Sequence, residues 1–329
     1  MAALTPTGAV HGARATAPHA GESLTVVPVR HWGRWLAAAA ALTALVGLIG
    51  SLAGNKNLHW DIVGHYVFAD LVFDGLATTL WLTAAAMAAG LGLGVLVAVM
   101  RLSSNFVLRA LANAFVWVFR GTPLLVQIIF WGYAGALYKH ILVGIPFTHI
   151  TFLDVDTNTV LTPAVAALLA LGLNEAAYAS EIVRAGIQSV DAGQTEAAHS
   201  LGMRPALTTR RIVLPQAMRV IIPPLGNETI NMLKMTALVS VISAHDLMSG
   251  IQDVYAQNYQ VIPMLVVASI WYLILVTALG LPQSWLERRY GRGTASATPA
   301  TGPLQRLVTG AALRISRTTG PAAATDSKE

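Results

Sequence analysis

The sequence predicts an all-α, polytopic membrane helix bundle of about six transmembrane helices. Three observations carry that expectation. Mean hydropathy is +0.59, with 55% apolar and only 11% charged residues among 329, a balance that soluble domains rarely reach. Apolar stretches of about twenty residues recur, each long enough to cross a hydrocarbon core at about 1.5 Å per residue. Between them lie polar intervals that carry most of the Lys and Arg, and the longest, residues 194–217, is basic yet helix-compatible. The formal charge of +5 is thus spread between spans rather than gathered on one soluble face, which argues against a nucleic-acid partner. There is no cysteine, so disulfides, thiol nucleophiles and cysteine-based metal sites are excluded.

Taken in order, residues 1–34 are rich in Ala, Gly, Pro, Thr and His without periodicity and read as a disordered lead-in. Arg30 and Arg34 precede the first apolar span, 35–53, an extra N-terminal helix within a unit covering 35–75. Ser51-Leu52-Ala53 has the small-x-small form of a cleavage site, so a signal peptide is the competing reading; the long lead-in favours a retained helix. Residues 54–74 set Lys56 against Asp61, Asp70 and Asp74 with Trp60, Tyr66 and Phe73 among them, as in an external connection lying partly in the interface. The second span, 76–100, is studded with Ala and Gly, which lets helices approach closely. A third runs from 111 to 137. Within it, FRGTPLLVQ at 119–127 interrupts the helix, and the backbone groups freed there must be satisfied by protein or water. Residues 139–161 read as an external loop with a strand-like or interfacial piece. The fourth span, 163–187, carries Asn174, Glu175, Tyr178, Glu181 and Arg184. The fifth, 220–243, opens on Pro223-Pro224 and carries Glu228, Asn231 and Lys234. Residues 246–260 form a short external turn, and the sixth span, 261–281, ends at Pro282 and Trp285. From 291 to 329 the composition returns to a flexible tail, with 304–315 a weak basic amphipathic stretch.

Orientation follows from the placement of Lys and Arg. Seventeen lie in the lead-in, the loop after the second span, the interval from Arg184 to Arg219, and the region after Trp285; only Lys56 and Lys139 fall on the other side. Residues 194–217 and both ends therefore face the cytoplasm.

No catalytic constellation emerges. No Lys follows a Gly, so the Gly-Lys of a Walker A phosphate loop is missing and the chain is not its own P-loop ATPase. His140, His149, His199 and His245 stand at no metal-ligand spacing. Glu175 and Glu181 are separated by six residues, which places them roughly 120° apart around a helix and discounts an acid–base pair. What remains is polar groups inside spans, where a charge costs roughly 2.5–3.5 kcal/mol on insertion scales. Asn174, Glu175, Glu228, Asn231 and Lys234 are candidates for a midplane path for a zwitterionic solute. The alternative is internal pairing that locks helices together, with Glu181 and Arg184 the clearest case. Arg120, with Gly121, Thr122 and Pro123, reads as gating or structural.

Residues 194–217 read as two short helices bent near Gly202 and closed by Pro215, lying at the membrane surface with Arg204, Arg210 and Arg211 in the headgroup zone. An ordinary interfacial amphipathic hairpin is the plain alternative. The spacing is specific, however: Glu196-Ala197-Ala198, three residues, Gly202, nine residues, then Ile212, Leu214 and Pro215. It resembles the EAA loop of ABC importer permeases. FRGTPLLVQ at 119–127, LNEAAY through EIVRAGI at 173–187, and PPLGNE through LK at 223–234 resemble the polar amino acid branch (histidine/glutamine/arginine-type) of those permeases, over about residues 76–289.

That resemblance implies a MetI-like core at 76–290 with five helices. It implies that Glu196, Ala197, Ala198, Leu201, Gly202, Ile212, Leu214 and Pro215 couple the chain to a cytosolic ATPase. The implied partners are two ATPase subunits carrying ATP and Mg, a second permease subunit (the same chain or a sister) and an extracytoplasmic solute-binding protein. This chain itself would bind no cofactor and transport a polar amino acid. A secondary, ion-coupled transporter using the buried carboxylates is the competing class.

Overall fold

The computed structural model describes residues 32–144 and 151–290. Expectations for the lead-in before residue 32, for the tail from 291 and for the helix at 304–315 lie outside the described residues. By internal contacts the chain divides at residue 58. The first unit holds helix α1 (Trp32–Ala53), 22 residues with no buried side chain, and a 3-10 turn at Lys56–Leu58. Helix α1 starts three residues before the expected span, taking in the end of the expected lead-in.

The second unit begins with α2 (Trp60–Tyr66) and α3 (Asp70–Leu102). Next come α4 (Phe106–Gly121), α5 (Leu124–Gly132) and α6 (Ala134–Leu137). A hairpin of β1 (His140–Gly144) and antiparallel β2 (Thr151–Asp156), with His140 opposite Asp156, fills the region expected to be a loop with a strand-like piece. After α7 (Thr157–Val160) and α8 (Pro163–Gln188) come α9 (Ala192–Ser200) and α10 (Pro205–Thr208). A π turn at Thr209–Val213 leads into α11 (Leu214–Met235) and a 3-10 stretch at Thr236–Ile242. Helices α12 (Leu247–Asn258) and α13 (Val261–Tyr290) complete the unit.

Helices α3 and α8 form the spine. Their backbones approach at small residues: a Cβ on Gly90 would meet the Glu175 side chain at 2.6 Å, and one on Gly94 would meet Ala179 at 2.8 Å. Such contact is how helices associate where hydrophobic burial supplies no driving force. One core cluster joins Leu82, Ala86 and Met87 of α3 to Ala167, Ala170 and Leu171 of α8, Ile128 of α5 and Met232 of α11. A second joins Val72 and Leu76 to Leu247, Ile251, Met264 and Val267, knitting α12 and α13 onto the start of α3. Outward, Trp81, Leu96, Trp117, Leu273 and Leu281 stay exposed, a sheath suited to hydrocarbon rather than water.

Several expectations change. Among the described residues, four helices are long and apolar enough to cross a membrane: α1, α3, α8 and α13. The expected third span is the pair α4 and α5, bent by 100° at their junction, and it counts as a fifth only if taken as one broken crossing. The expected fifth span, 220–243, does not qualify, because α11 carries Pro223, Pro224, Asn227, Glu228, Asn231 and Lys234. It also starts earlier than expected, with the two prolines in its interior. The expected turn at 246–260 is mostly the helix α12, capped by the Asp246 carboxylate on the backbone N–H groups of Met248 and Ser249. Pro282 does not end the last helix, which continues to Tyr290.

Candidate functional site

The α4–α5 bend follows from Pro123. Proline has no N–H to give the carbonyl four residues back, and its ring excludes the helical path there. The carbonyl left over is Phe119 O. It accepts the Gln127 side-chain amide at 2.9 Å and the Asn174 amide of α8 at 2.9 Å. Gln127 also donates to Thr122 O at 3.1 Å and Thr122 Oγ1 at 2.9 Å, and its own Oε1 accepts a longer bond from Asn174 at 3.4 Å. The freed backbone is thus satisfied by protein, from two helices.

The bend opens one wall of a cavity of about 440 Å³. Arg120, Gly121, Thr122, Pro123 and Leu124 supply that wall; Asn174, Glu175 and Tyr178 of α8 form the second; Glu228, Asn231, Met232 and Met235 of α11 form the third. Helical periodicity explains both helix faces: 174 and 178 are one turn apart, as are 228, 232 and 235. Glu175 is 3% exposed, and its Oε1 has no hydrogen-bond partner. The cavity is polar and acidic on the α8 and α11 sides, with Arg120 the one cationic side chain among the lining residues described.

Further along α8, Glu181 gathers three guanidinium groups. Arg101 of α3 lies 2.8 Å from Oε1, Arg120 3.3 Å from the same oxygen, and Arg184 2.8 Å from Oε2. Arg184 donates a second bond from Nε at 3.0 Å, and Arg120 lies over the Tyr178 ring, 5.0 Å from its centre. The expected Glu181–Arg184 pair is therefore present within a larger network that ties α3, α4 and α8.

The break at Gly202 has a different construction. Gly202 N–H bonds His199 O at 2.9 Å and Met203 N–H bonds Ala198 O at 3.1 Å, the two bonds of a Schellman stop. Gly202 itself sits at φ +76°, where a side chain is strained. Glu196, Ala197 and Leu201 are exposed, Leu201 at 83%. Ala198 is buried, so it anchors α9 instead of offering contact surface. Ile212 is half-buried and Leu214 exposed. Pro215 closes nothing: α10, the π turn and α11 run on, and the helix widens where Pro215 leaves the Arg211 carbonyl without its usual donor.

Of the sequence-predicted path residues, Asn174, Glu175, Glu228 and Asn231 meet in the cavity; Lys234 does not line it and is exposed. Its place six residues after Glu228 turns it roughly 120° away, the same arithmetic that separates Glu175 from Glu181. Gln127, Tyr178, Met232 and Met235 were missed as site residues. Helix spacing from Asn174 and Glu228 finds the last three, and the polar residue one turn past Pro123 finds the first. No sequence signal links Arg101 to Glu181.

Residues 90–292 match the family described as binding-protein-dependent transport system inner membrane component. The chain belongs to that family. It is similar to the arginine transport system permease protein ArgU of Corynebacterium glutamicum, 42% identical over 83% of this chain and 85% of that one. It is also similar to the L-cystine transport system permease protein TcyB of Bacillus subtilis, at 36% over 74% and 97%. A solved chain from an amino acid ABC transporter crystallised with histidines is 37% identical over 67% of this chain and 94% of that one, with a TM-score of 0.56. A chain of a bacterial alginate ABC transporter shares the fold alone, at 13% identity and a TM-score of 0.53. The permease is thus a mainly helical, MetI-like membrane component of an ABC transport system, a transport subunit and not an enzyme in its own right. These relationships give no support to the ion-coupled alternative.

Proposed function

We propose that this permease forms the translocation path of an ATP-driven importer of polar amino acids, and that the cavity between α4–α5, α8 and α11 is its solute station. The observation that carries the reading is Glu175, a buried carboxylate whose Oε1 has no partner and which shares the cavity with Glu228 and Asn231. A buried, unpaired carboxylate oxygen is costly, and an arriving ammonium, guanidinium or amide relieves that cost. The relatives named for arginine and cystine transport, and the histidine-bearing structure, support an amino acid as the solute.

Residues 194–217 would take up the work of two cytosolic ATPase subunits that bind ATP and Mg, with Glu196, Ala197, Leu201 and Gly202 as the contact surface. The Lys and Arg distribution supports placing that loop and both chain ends in the cytoplasm. A second permease subunit and an extracytoplasmic solute-binding protein complete the assembly, and the regions at 1–34, 35–75 and 291–329 are additions to the core at 76–290. Reconstitution with the ATPase and binding protein in proteoliposomes tests this. ATP-dependent accumulation of labelled arginine, glutamine or histidine is expected, and Glu175→Ala lowers it at least tenfold. Accumulation driven by an ion gradient without ATP would overturn the proposal.

A further inference from the structure

Arg120 belongs to two places at once. Its side chain lines the cavity, yet it also contacts Glu181 outside it. That contact, at 3.3 Å, is the longest of the three that Glu181 makes, and Arg120 is the most exposed of the three arginines, at 41% against 14% for Arg101 and 31% for Arg184. If Arg120 lets go, Glu181 is not stranded, because Arg101 and Arg184 each hold it at 2.8 Å. Breaking a charge pair is expensive mainly when it leaves one partner unpaired, and here it does not. The Tyr178 ring offers the guanidinium a π face on the way, and Tyr178 lines the cavity too. The base of Arg120 stays fixed meanwhile, since the neighbouring Phe119 and Thr122 carbonyls are pinned by Gln127 and Asn174.

We propose that Arg120 is a partner-exchanging carboxylate receptor: it is held by Glu181 when the cavity is empty and turns to the α-carboxylate of the solute when the cavity is filled. This rests on the cavity being the solute station. Arg120 then discriminates amino acids from plain amines, while Glu175 and Glu228 read the cationic or amide end. Glu181 competes with the solute for Arg120, so cavity loading and the α3–α4–α8 ion network are coupled.

The test is equilibrium dialysis on the permease–ATPase complex in nanodiscs, without the binding protein. Labelled L-arginine, L-glutamine and L-histidine are the probes, each compared with its decarboxylated amine. Wild-type protein should prefer the amino acid by about tenfold or more, the range of a charge-assisted hydrogen bond. Arg120→Gln should bring that ratio to about one while amine binding holds, and Arg120→Lys should recover part of it. Glu181→Gln should tighten amino acid binding severalfold and leave amine binding alone, an outcome that a purely structural Glu181 does not give. A ratio unchanged in Arg120→Gln, or amino acid and amine weakened together in Glu181→Gln, would overturn the exchange. Wild-type complex that binds none of the three amino acids overturns the solute-station reading itself, a result separate from lost discrimination.

Discussion

The helical backbone is broken at Thr122–Pro123 and at Gly202, and the two breaks are finished in opposite ways. At Thr122–Pro123 the break faces inward, and side-chain amides from buried Gln127 and half-buried Asn174 take up the carbonyls it leaves. At Gly202 the break faces outward: its bonds are all backbone, and a Cβ there would meet nothing within 4 Å. An inward break needs side chains from neighbouring helices and so becomes part of a fixed wall. An outward break needs only a residue tolerant of positive φ, and it leaves the flanking side chains, Glu196 and Leu201, free to meet something else.

Substitutions at the outward break should act on transport more than on folding. Glu196→Lys, or Gly202 replaced by Val, is expected to abolish ATP-dependent uptake while membrane insertion, read by fractionation and protease accessibility, is unchanged; normal uptake in either would undo the contrast. At the inward break the ranking reverses. Gln127→Ala leaves the Thr122 carbonyl without its donor, and Asn174→Ala takes one of the two donors from the Phe119 carbonyl, each costing about 1–3 kcal/mol. That loss is visible as a lower midpoint in thermal unfolding of the detergent-solubilised protein, with Gln127→Ala the worse because it removes three donated bonds. Gly202→Ala falls below these, at about 1–2 kcal/mol, since only left-handed backbone strain opposes it; Gly202→Asn should cost less again. Smallest of all, Lys234→Ala should leave uptake within about twofold, because that side chain is exposed and away from the cavity.

How far the sequence could be read depended on whether the deciding force was local. Pro123 and Gly202 announce their breaks through covalent geometry, and the apolar runs of α3, α8 and α13 announce themselves through transfer energy. Glu175 was legible as a candidate because a carboxylate in an apolar span needs a reason, and it lines the cavity. Helix α12 was not legible, since Gln252, Asp253, Gln257 and Asn258 gave it the composition of a turn while Leu247 and Ile251 supply the buried face that makes it a helix. Helix α11 misled in the other direction: residues 220–243 read as a fifth span, yet the helix is too polar to count as a crossing and forms a cavity wall. The Arg101–Glu181 contact spans eighty positions of chain and depends on the α3–α8 approach at Gly90 and Gly94, which spacing along one helix cannot express.

One helix touches both breaks' territories. Helix α11 begins at the π turn that follows the Gly202 stop and ends at Met232 and Met235 in the cavity wall. Over its 22 residues it is about 33 Å long, so a tilt of about 5° at one end carries the other end roughly 3 Å. Pro223 and Pro224 sit between, removing two internal N–H donors where a rigid rod would have them. The consequence is a lever with a compliant midpoint, through which a small rocking motion at the π-turn end would re-space the methionines of the cavity wall without prising α11 from its neighbours.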